Sequence, residues 1–252
     1  MVDRPQKGHW SDHIIDAIDS KCAVTALPGV HWTDGYRFNL EAISNRCRES
    51  GSALVLDLTQ SLGVMPFSVK QTDVDFIAVA SYKWLLGPLG LSFLYVNPRH
   101  HGGKPIEQGW LSRAGSDDFS RLVQYTDQFQ PGARRFDSGQ RTNNALIAQA
   151  TTALEQVLDW SIPGIEHFLS DLTRLIALKA GQRGLVCTPE SVRAPHLLGI
   201  ELPEDRIVSL AAALADNRVY VSIRGNKLRL APYLYNSERD VMRLFEVIDR
   251  CI

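Results

Sequence analysis

The feature that most restricts the fold of this chain lies in its first hundred residues. There, short apolar runs alternate with a helical pattern. Runs of this kind, bounded by polar or glycine-containing stretches, are typical of strands that are buried on both faces. Four of them are present: Cys22–Leu27, Ala53–Leu58, Phe76–Ala80 and Leu91–Val96. Between the first two, Asn39–Ser50 places apolar residues on one helical face, which predicts a strand–helix–strand unit with parallel strands.

After the third apolar run, the chain does not repeat this strand–helix–strand pattern. The fourth run follows the third too closely for a crossover helix, so we expect that pair of strands to be antiparallel. Residues 97–139 form a glycine-containing segment whose length indicates either a function or ordering by a partner. We therefore predict a mainly parallel α/β domain over residues 1–143, and a connecting helix with a small α+β domain over residues 144–252. The predicted elements of the second domain are helices at Asn144–Trp160, Ile162–Ala180, Ile207–Asp216 and Glu238–Arg250, and strands at His196–Leu202, Val219–Ile223 and Lys227–Ala231.

Composition excludes several classes of protein. The 252 residues carry a formal net charge of −1 and no long basic run, so there is no electrostatic reason to expect nucleic acid or a membrane surface as a partner. The four cysteines are scattered and no metal-ligand spacing is present. No apolar stretch is long enough to cross a bilayer, and the first ten residues lack the apolar core of a signal peptide. The default expectation is a cytoplasmic protein.

The window from Asp57 to Gly90 holds the residues most suited to chemistry. Asp57 ends one predicted strand, Gln60 follows in the loop, and Ser81, Tyr82 and Lys83 end the next strand. Ligands of open α/β sheets bind beyond the carboxyl ends of the strands. A lysine amine can form an imine with the aldehyde of pyridoxal 5′-phosphate (PLP) and move the α-proton of an amino acid. A carboxylate can keep the pyridine nitrogen protonated, and an amide can donate to the phenolate oxygen.

These residues resemble the class V aminotransferase family of fold-type I PLP enzymes, which includes kynureninases, cysteine desulfurases and isopenicillin epimerase-like proteins. The family's Asp-x-x-Gln motif is similar to Asp57–Gln60, and its lysine motif is similar to Ser81–Trp84, followed by a Gly–Pro turn. The resemblance implies an α/β PLP-transferase fold, with Asp57 at the pyridine nitrogen, Gln60 at the phenolate oxygen and Lys83 as the imine lysine. It implies that Tyr82 contacts the phosphate. The position of the family's phosphate serine falls on Ala80, which has no hydroxyl, so the neighbouring Ser81 is assigned that role instead.

Three further positions follow from the resemblance. The segment that ends at Gln140 is similar to the loop that reaches the phosphate in the neighbouring subunit, which implies a homodimer. Arg229 matches the arginine that binds the substrate carboxylate, and Trp110 matches a residue near the cofactor. Trp32 stands where desulfurases carry an asparagine near the substrate. No cysteine precedes Arg229 in its segment, which argues against desulfurase chemistry.

Other interpretations stay open at the level of sequence. Gln60 could cap a helix, Tyr82 could be a packing aromatic and Arg229 could pair with an acidic neighbour. Family members are commonly longer at the N-terminus, where the phosphate loop and the aromatic that stacks on the pyridine ring lie, and we find no substitute before Cys22. The alternatives to a PLP enzyme acting at the α-carbon are therefore a truncated, non-catalytic remnant or partner subunit, and a non-PLP α/β protein.

Overall fold

The computed structural model describes residues 1–5, 7–139 and 143–251, and they fall into two compact units that are interleaved along the chain. The first unit comprises Met1–Leu27, Leu40–Thr59 and Ser68–Glu155. The second comprises Pro28–Asn39, Gln60–Phe67 and Gln156–Ile252. The sequence pattern predicts a single division after residue 143, and that division stays a prediction.

A four-stranded sheet with the order β1-β2-β3-β4 organises the first unit. Strand β2 pairs with β3 in parallel, and β3 pairs with β4 antiparallel, as predicted. The elements around this sheet begin with two helices and end with the long helix α3. Their bounds are α1 (Trp10–Ala17), β1 (Val24–Pro28), α2 (Leu40–Ser50), β2 (Ala53–Asp57), β3 (Phe76–Ala80), β4 (Ser92–Val96) and α3 (Asn144–Trp160).

Burial explains why these segments adopt their structures. Leu54 and Leu56 are fully buried on β2, and Ile77 and Val79 are buried on β3. Removing each such side chain from water contributes about 1.5–3 kcal/mol. Helix α2 turns its buried residues towards this core and stops at Gly51, whose φ of +77° is a conformation that glycine adopts without strain.

The second unit is built on a three-stranded antiparallel sheet with the order β5-β7-β6. Helix α6 shows the clearest amphipathic pattern, with buried apolar residues three and four positions apart, and the Ser237 amide donates to Asp240 Oδ2 at its start. The elements are α4 (Ile162–Gly181), β5 (Leu198–Glu201), α5 (Glu204–Asp216), β6 (Ser222–Arg224), β7 (Lys227–Leu230) and α6 (Glu238–Cys251).

The predicted elements are present, with bounds that differ from the prediction by up to three residues. Helix α1 was not predicted, because only Ser11 and Ile14 of its eight residues are buried and its apolar pattern is correspondingly short. Strand β6 is shorter than predicted: residues 219–221 precede it without pairing to β7. Among the described residues, none of the helices combines the length and apolar character that crossing a membrane requires.

Candidate active site

The carboxyl ends of β2 and β3 lie side by side in the first unit. Asp57 is in register with Ala78, and the Leu58 amide donates to the Ala78 carbonyl oxygen at 3.0 Å. Beyond this point, the Ala80 amide donates to Thr59 Oγ1, also at 3.0 Å. The Leu58 backbone and the Thr59 side chain therefore extend the pairing beyond the end of β2, and they fix the end of β3, which leads into Lys83, next to the segment that follows Asp57.

Asp57 presents an exposed carboxylate at this edge. Its Oδ1 accepts a hydrogen bond from the Thr59 amide at 2.8 Å, an Asx-turn that fixes the side chain at the end of the strand. The neighbouring core residues of β2 are completely buried. The strand thus delivers a fixed but accessible carboxylate to the edge where ligands of α/β sheets bind.

Lys83 and Tyr82 lie together where β3 ends. Lys83 is half-buried, and its Nζ lies 5.8 Å from the centroid of the Tyr82 ring. Tyr82 is 47% exposed, so part of its ring is accessible to a ligand. A cation close to an aromatic face is held by the ring quadrupole, which limits the positions that the lysine amine takes.

Ser81 is occupied by the turn that follows. It is completely buried, and its hydroxyl lies 2.7 Å from the Pro88 carbonyl oxygen and 2.8 Å from that of Leu91. A Cβ on Gly87 would lie 2.7 Å from the Ser81 Cβ, so this position admits only glycine. Ser81 therefore stabilises the Gly–Pro turn that follows Lys83. Its predicted contact with the phosphate has no support in this geometry, because its hydroxyl is used within the turn.

The structure gives little information on the roles of the other two predicted cofactor residues, Trp110 and Gln140. Trp110 begins a short 3-10 helix in the first unit, is 52% exposed and packs edge-on against Phe119 with ring centroids 6.2 Å apart. Gln140 lies outside the described residues.

Gln60 belongs to the second unit, where His196 holds its backbone. Gln60 is buried, and its carbonyl oxygen lies 2.6 Å from His196 Nε2. Because a carbonyl oxygen only accepts, Nε2 carries the proton and donates. The pKa of His196 is lowered to about 3, mainly by complete burial and to a smaller extent by the positive charge of Arg229, while the Gln60 hydrogen bond opposes the shift. His196 is therefore a neutral donor to the Gln60 backbone, and it lies close enough to Arg229 to be affected by its charge.

This buried histidine makes the stability of the chain depend on pH. The pKa of His196 is about 3 in the folded chain, and an unfolded histidine has a pKa of about 6.5. The unfolded chain thus binds the extra proton between these values, and acidification favours unfolding. We expect the free energy of unfolding to fall by about 2 kcal/mol between about pH 7 and pH 5 from this residue. Urea titrations of the wild type and His196→Gln measure it: the variant has the flatter pH profile, and identical profiles would contradict the assignment.

Arg229 and Arg224 share the polar face of the small sheet. Arg229 pairs with Ser222 and Gly199, and Arg224 pairs with Lys227, which places both arginines on the face opposite the buried leucines of β7. Burial lowers the pKa of Arg229, and the nearby charge of Arg224 adds to this effect. Neither arginine has an acidic partner among the described residues, so the interpretation of Arg229 as an ion-pair residue is not supported.

A short loop within the second unit covers part of this face. Asp34 is completely buried there, accepts the Tyr36 amide and lies 3.7 Å from Lys227 Nζ. The approach of the loop depends on two glycines: a Cβ on Gly199 would lie 3.0 Å from the Asp34 Cβ, and one on Gly35 would lie 1.9 Å from the carbonyl oxygen of residue 197. Sequence reasoning did not identify this loop, because contacts between distant segments leave no periodic signal.

Comparison with known proteins identifies the relatives of this chain. Residues 4–179 match the family model described as Aminotransferase class-V. An uncharacterized aminotransferase, YcbU of Bacillus subtilis (strain 168), is 28% identical over 92% of this chain and 60% of its own length. A kynureninase of Shouchella clausii (strain KSM-K16) is 26% identical over 97% of this chain and 58% of its own length. The chain therefore spans less than two thirds of these relatives.

Solved structures share the fold. The cystine C-S lyase C-DES superposes with a TM-score of 0.82 at 19% identity, covering 96% of this chain and 65% of that protein. A cysteine desulfurase of Thermococcus onnurineus NA1 superposes with a TM-score of 0.79 at 18% identity, covering 99% of this chain and 64% of that protein. At such identities the likeness establishes the fold alone, and it confirms the predicted α/β PLP-transferase architecture.

Proposed function

Because the chain belongs to the class V aminotransferase family, whose cofactor is PLP, we propose that it acts with PLP at the α-carbon of an amino acid. The reaction is of the transaminase, lyase or epimerase type. The relatives support this range, since they include a protein named as an aminotransferase and a kynureninase. Desulfurase chemistry is left out of the proposal, because no cysteine precedes Arg229 in its segment.

The observation that carries the proposal is the shared edge of β2 and β3. Asp57 and Lys83 follow adjacent parallel strands, and the Ala80–Thr59 hydrogen bond fixes the two segments side by side. The exposed carboxylate of Asp57 suits a protonated pyridine nitrogen, the half-buried amine of Lys83 suits an aldehyde, and the hydroxyl of the exposed Tyr82 can donate to a phosphate. The residues of this edge therefore fit PLP.

Each residue then has a definite task. When bound, PLP withdraws electrons from the α-carbon of the amino acid. Lys83 would hold the cofactor through Nζ and, once the substrate's amine has displaced it, would take or return the α-proton through the same atom. Asp57 would keep the pyridine nitrogen protonated, and Tyr82 would contact the phosphate.

Two residues of the second unit complete the assignment. Gln60 donates from its side-chain amide to the phenolate oxygen, while its backbone is held by His196. Arg229 binds the α-carboxylate through its planar guanidinium, and the buried, unpartnered Nε in the described part of the chain supports a role in anion binding.

We also propose a cytoplasmic homodimer. Support for the dimer comes from the segment between β4 and α3, which exposes large apolar side chains: Ile106, Phe119, Val123 and Tyr125 are 74–101% exposed. Apolar groups gathered on one segment are typical of a surface that a partner covers. A monomer in sedimentation equilibrium at micromolar concentration would contradict this proposal.

Borohydride labelling tests the function directly. The purified chain is incubated with PLP, reduced, digested and mapped by mass spectrometry. Of its seven lysines, we expect Lys83 to carry the label at a low excess of PLP, because it lies beside the Tyr82 ring at the strand edge that also presents Asp57. A label spread over exposed lysines such as Lys70 and Lys104, with none at Lys83, would support the interpretation as a non-catalytic remnant instead.

A further inference from the structure

The polar face of the small sheet carries more positive charge than the proposed α-carboxylate contact requires. Three cations lie on it: Lys227, Arg224 and Arg229. Lys227 is neutralised, since its Nζ lies 2.6 Å from Glu201 Oε1 and 3.7 Å from Asp34 Oδ2. The two arginines have no carboxylate within ion-pair distance in the described residues, so two positive charges remain on this face.

Both arginines are also partly removed from water. The Nε atom of each is buried and has no hydrogen-bond acceptor among the described residues. A buried donor without a partner costs about 1–3 kcal/mol, and more for a charged group. Two adjacent unpaired guanidinium groups add their mutual repulsion, which is consistent with the lowered pKa of Arg229. Such an arrangement is expected where an anionic ligand supplies the missing acceptors.

Arg224 is held in place by two contacts. Its Cζ lies 5.3 Å from the centroid of the Trp32 ring, and its Nη1 donates to the Ile223 carbonyl oxygen at 2.7 Å. Trp32 is 49% exposed, so it borders solvent while it fixes the guanidinium. Arg224 is a diagonal cross-strand neighbour of Arg229, within reach of long side chains, and the two guanidinium groups can therefore bind two anionic groups of one small molecule.

We propose that Arg224 binds a second, side-chain carboxylate, so that the preferred substrates are acidic amino acids of the aspartate or glutamate type. The inference rests on the proposed function for the role of Arg229, which takes the α-carboxylate. A single carboxylate would leave one of the two charges uncompensated, whereas a dicarboxylate neutralises both. Trp32 then serves as the wall that orients Arg224 beside the side chain of the substrate.

Calorimetric titration with matched ligands tests the proposal. L-glutamate and L-aspartate are compared with L-glutamine and L-asparagine, which have the same shape without the second charge. We expect the acids to bind roughly 10- to 100-fold more tightly than the amides, as for a charge-assisted hydrogen bond. Arg224→Met removes this preference, because the acids lose much more affinity than the amides, while Arg229→Met weakens the binding of all four ligands.

Two further variants serve as controls. Arg206→Met makes the same chemical change at an exposed arginine of α5 and is expected to retain the preference. Arg224→Lys keeps the positive charge but not the planar guanidinium, so it should lower the preference for the acids by less than Arg224→Met does. If Arg224→Met does not fold, Arg224→Lys takes its place in the test. A wild type without preference, or an Arg224→Met variant that weakens acids and amides equally, would overturn the proposal.

The titrations are made with and without PLP so that the two proposals can fail separately. Preference for the acids in the chain without PLP, together with the absence of borohydride label at Lys83, would overturn the proposed function and support the anion site. Label at Lys83 without preference for either acid would overturn the inference about Arg224 alone.

Discussion

Lys83→Ala is expected to abolish covalent attachment of PLP while the chain stays folded. The side chain is half-buried at the end of β3, where truncation leaves no cavity in the core, so the free energy of unfolding should change by less than about 0.5 kcal/mol. The amine itself has no substitute, because Tyr82 and Ser81 cannot form an imine. The absorption band of the attached cofactor and the borohydride-stable mass increment should both disappear.

The matched control is Lys70→Ala, which removes an exposed lysine from the same unit. This variant should retain the band and the mass increment at wild-type levels. Retention of both signals in Lys83→Ala would show that another amine holds the cofactor, and it would remove the basis of the proposed function. Thermal unfolding followed by circular dichroism distinguishes either result from a loss of structure.

Gly35→Ala is expected to destabilise the second unit by more than any conservative surface change. The added Cβ would lie 1.9 Å from the carbonyl oxygen of residue 197, an overlap with backbone that no rotamer relieves. The φ of +73° adds about 1–2 kcal/mol for a residue with a side chain. The loop must therefore move away from the sheet, and we expect a total loss above about 4 kcal/mol, which is exceptional for a point mutation.

Gly184→Ala separates the cost of the steric overlap from the cost of placing a side chain at a positive φ. Gly184 has a similar φ of +70° in the same unit, but a Cβ there would meet nothing within 4 Å. Its substitution should cost only the conformational part, about 1–2 kcal/mol. Chemical denaturation of both variants gives the comparison, and equal losses would mean that the close approach of the loop to residue 197 does not exist in solution.

The fold was predictable where the pattern was local. Leu54 and Leu56 lie in one of the short apolar runs that predicted strands, although burial alternates along β2 where the run predicted burial on both faces. The short connection between β3 and β4 predicted the antiparallel pairing of these two strands. The ends of β2 and β3 then placed Asp57 and Lys83 at one edge, because parallel neighbours share the direction of their carboxyl ends. Helix α1 escaped prediction because its short buried face carries a weak periodic signal.

The site was less predictable where contacts join distant segments. His196 was assigned to a strand, and nothing near it in the sequence indicates that it meets the backbone of Gln60. Arg224 falls between the predicted strands Val219–Ile223 and Lys227–Ala231, although the two-residue connection that separates it from Lys227 could have indicated a face shared with Arg229. Ser81 was assigned to the phosphate, but its hydroxyl satisfies the carbonyl groups of a turn that only the three-dimensional structure closes.

The interleaving of the two units has a consequence for how the chain is made and divided. Residues 28–39 and 60–67 emerge from the ribosome early, yet they belong to a unit whose remaining residues begin at Gln156. The second unit can therefore complete its fold only late in synthesis. Until then, residues 28–39 lack the strand that carries Gly199, against which they pack. A fragment cut at residue 156 would likewise lack Asp34 and Trp32, so the chain cannot be separated into two working halves by a single break.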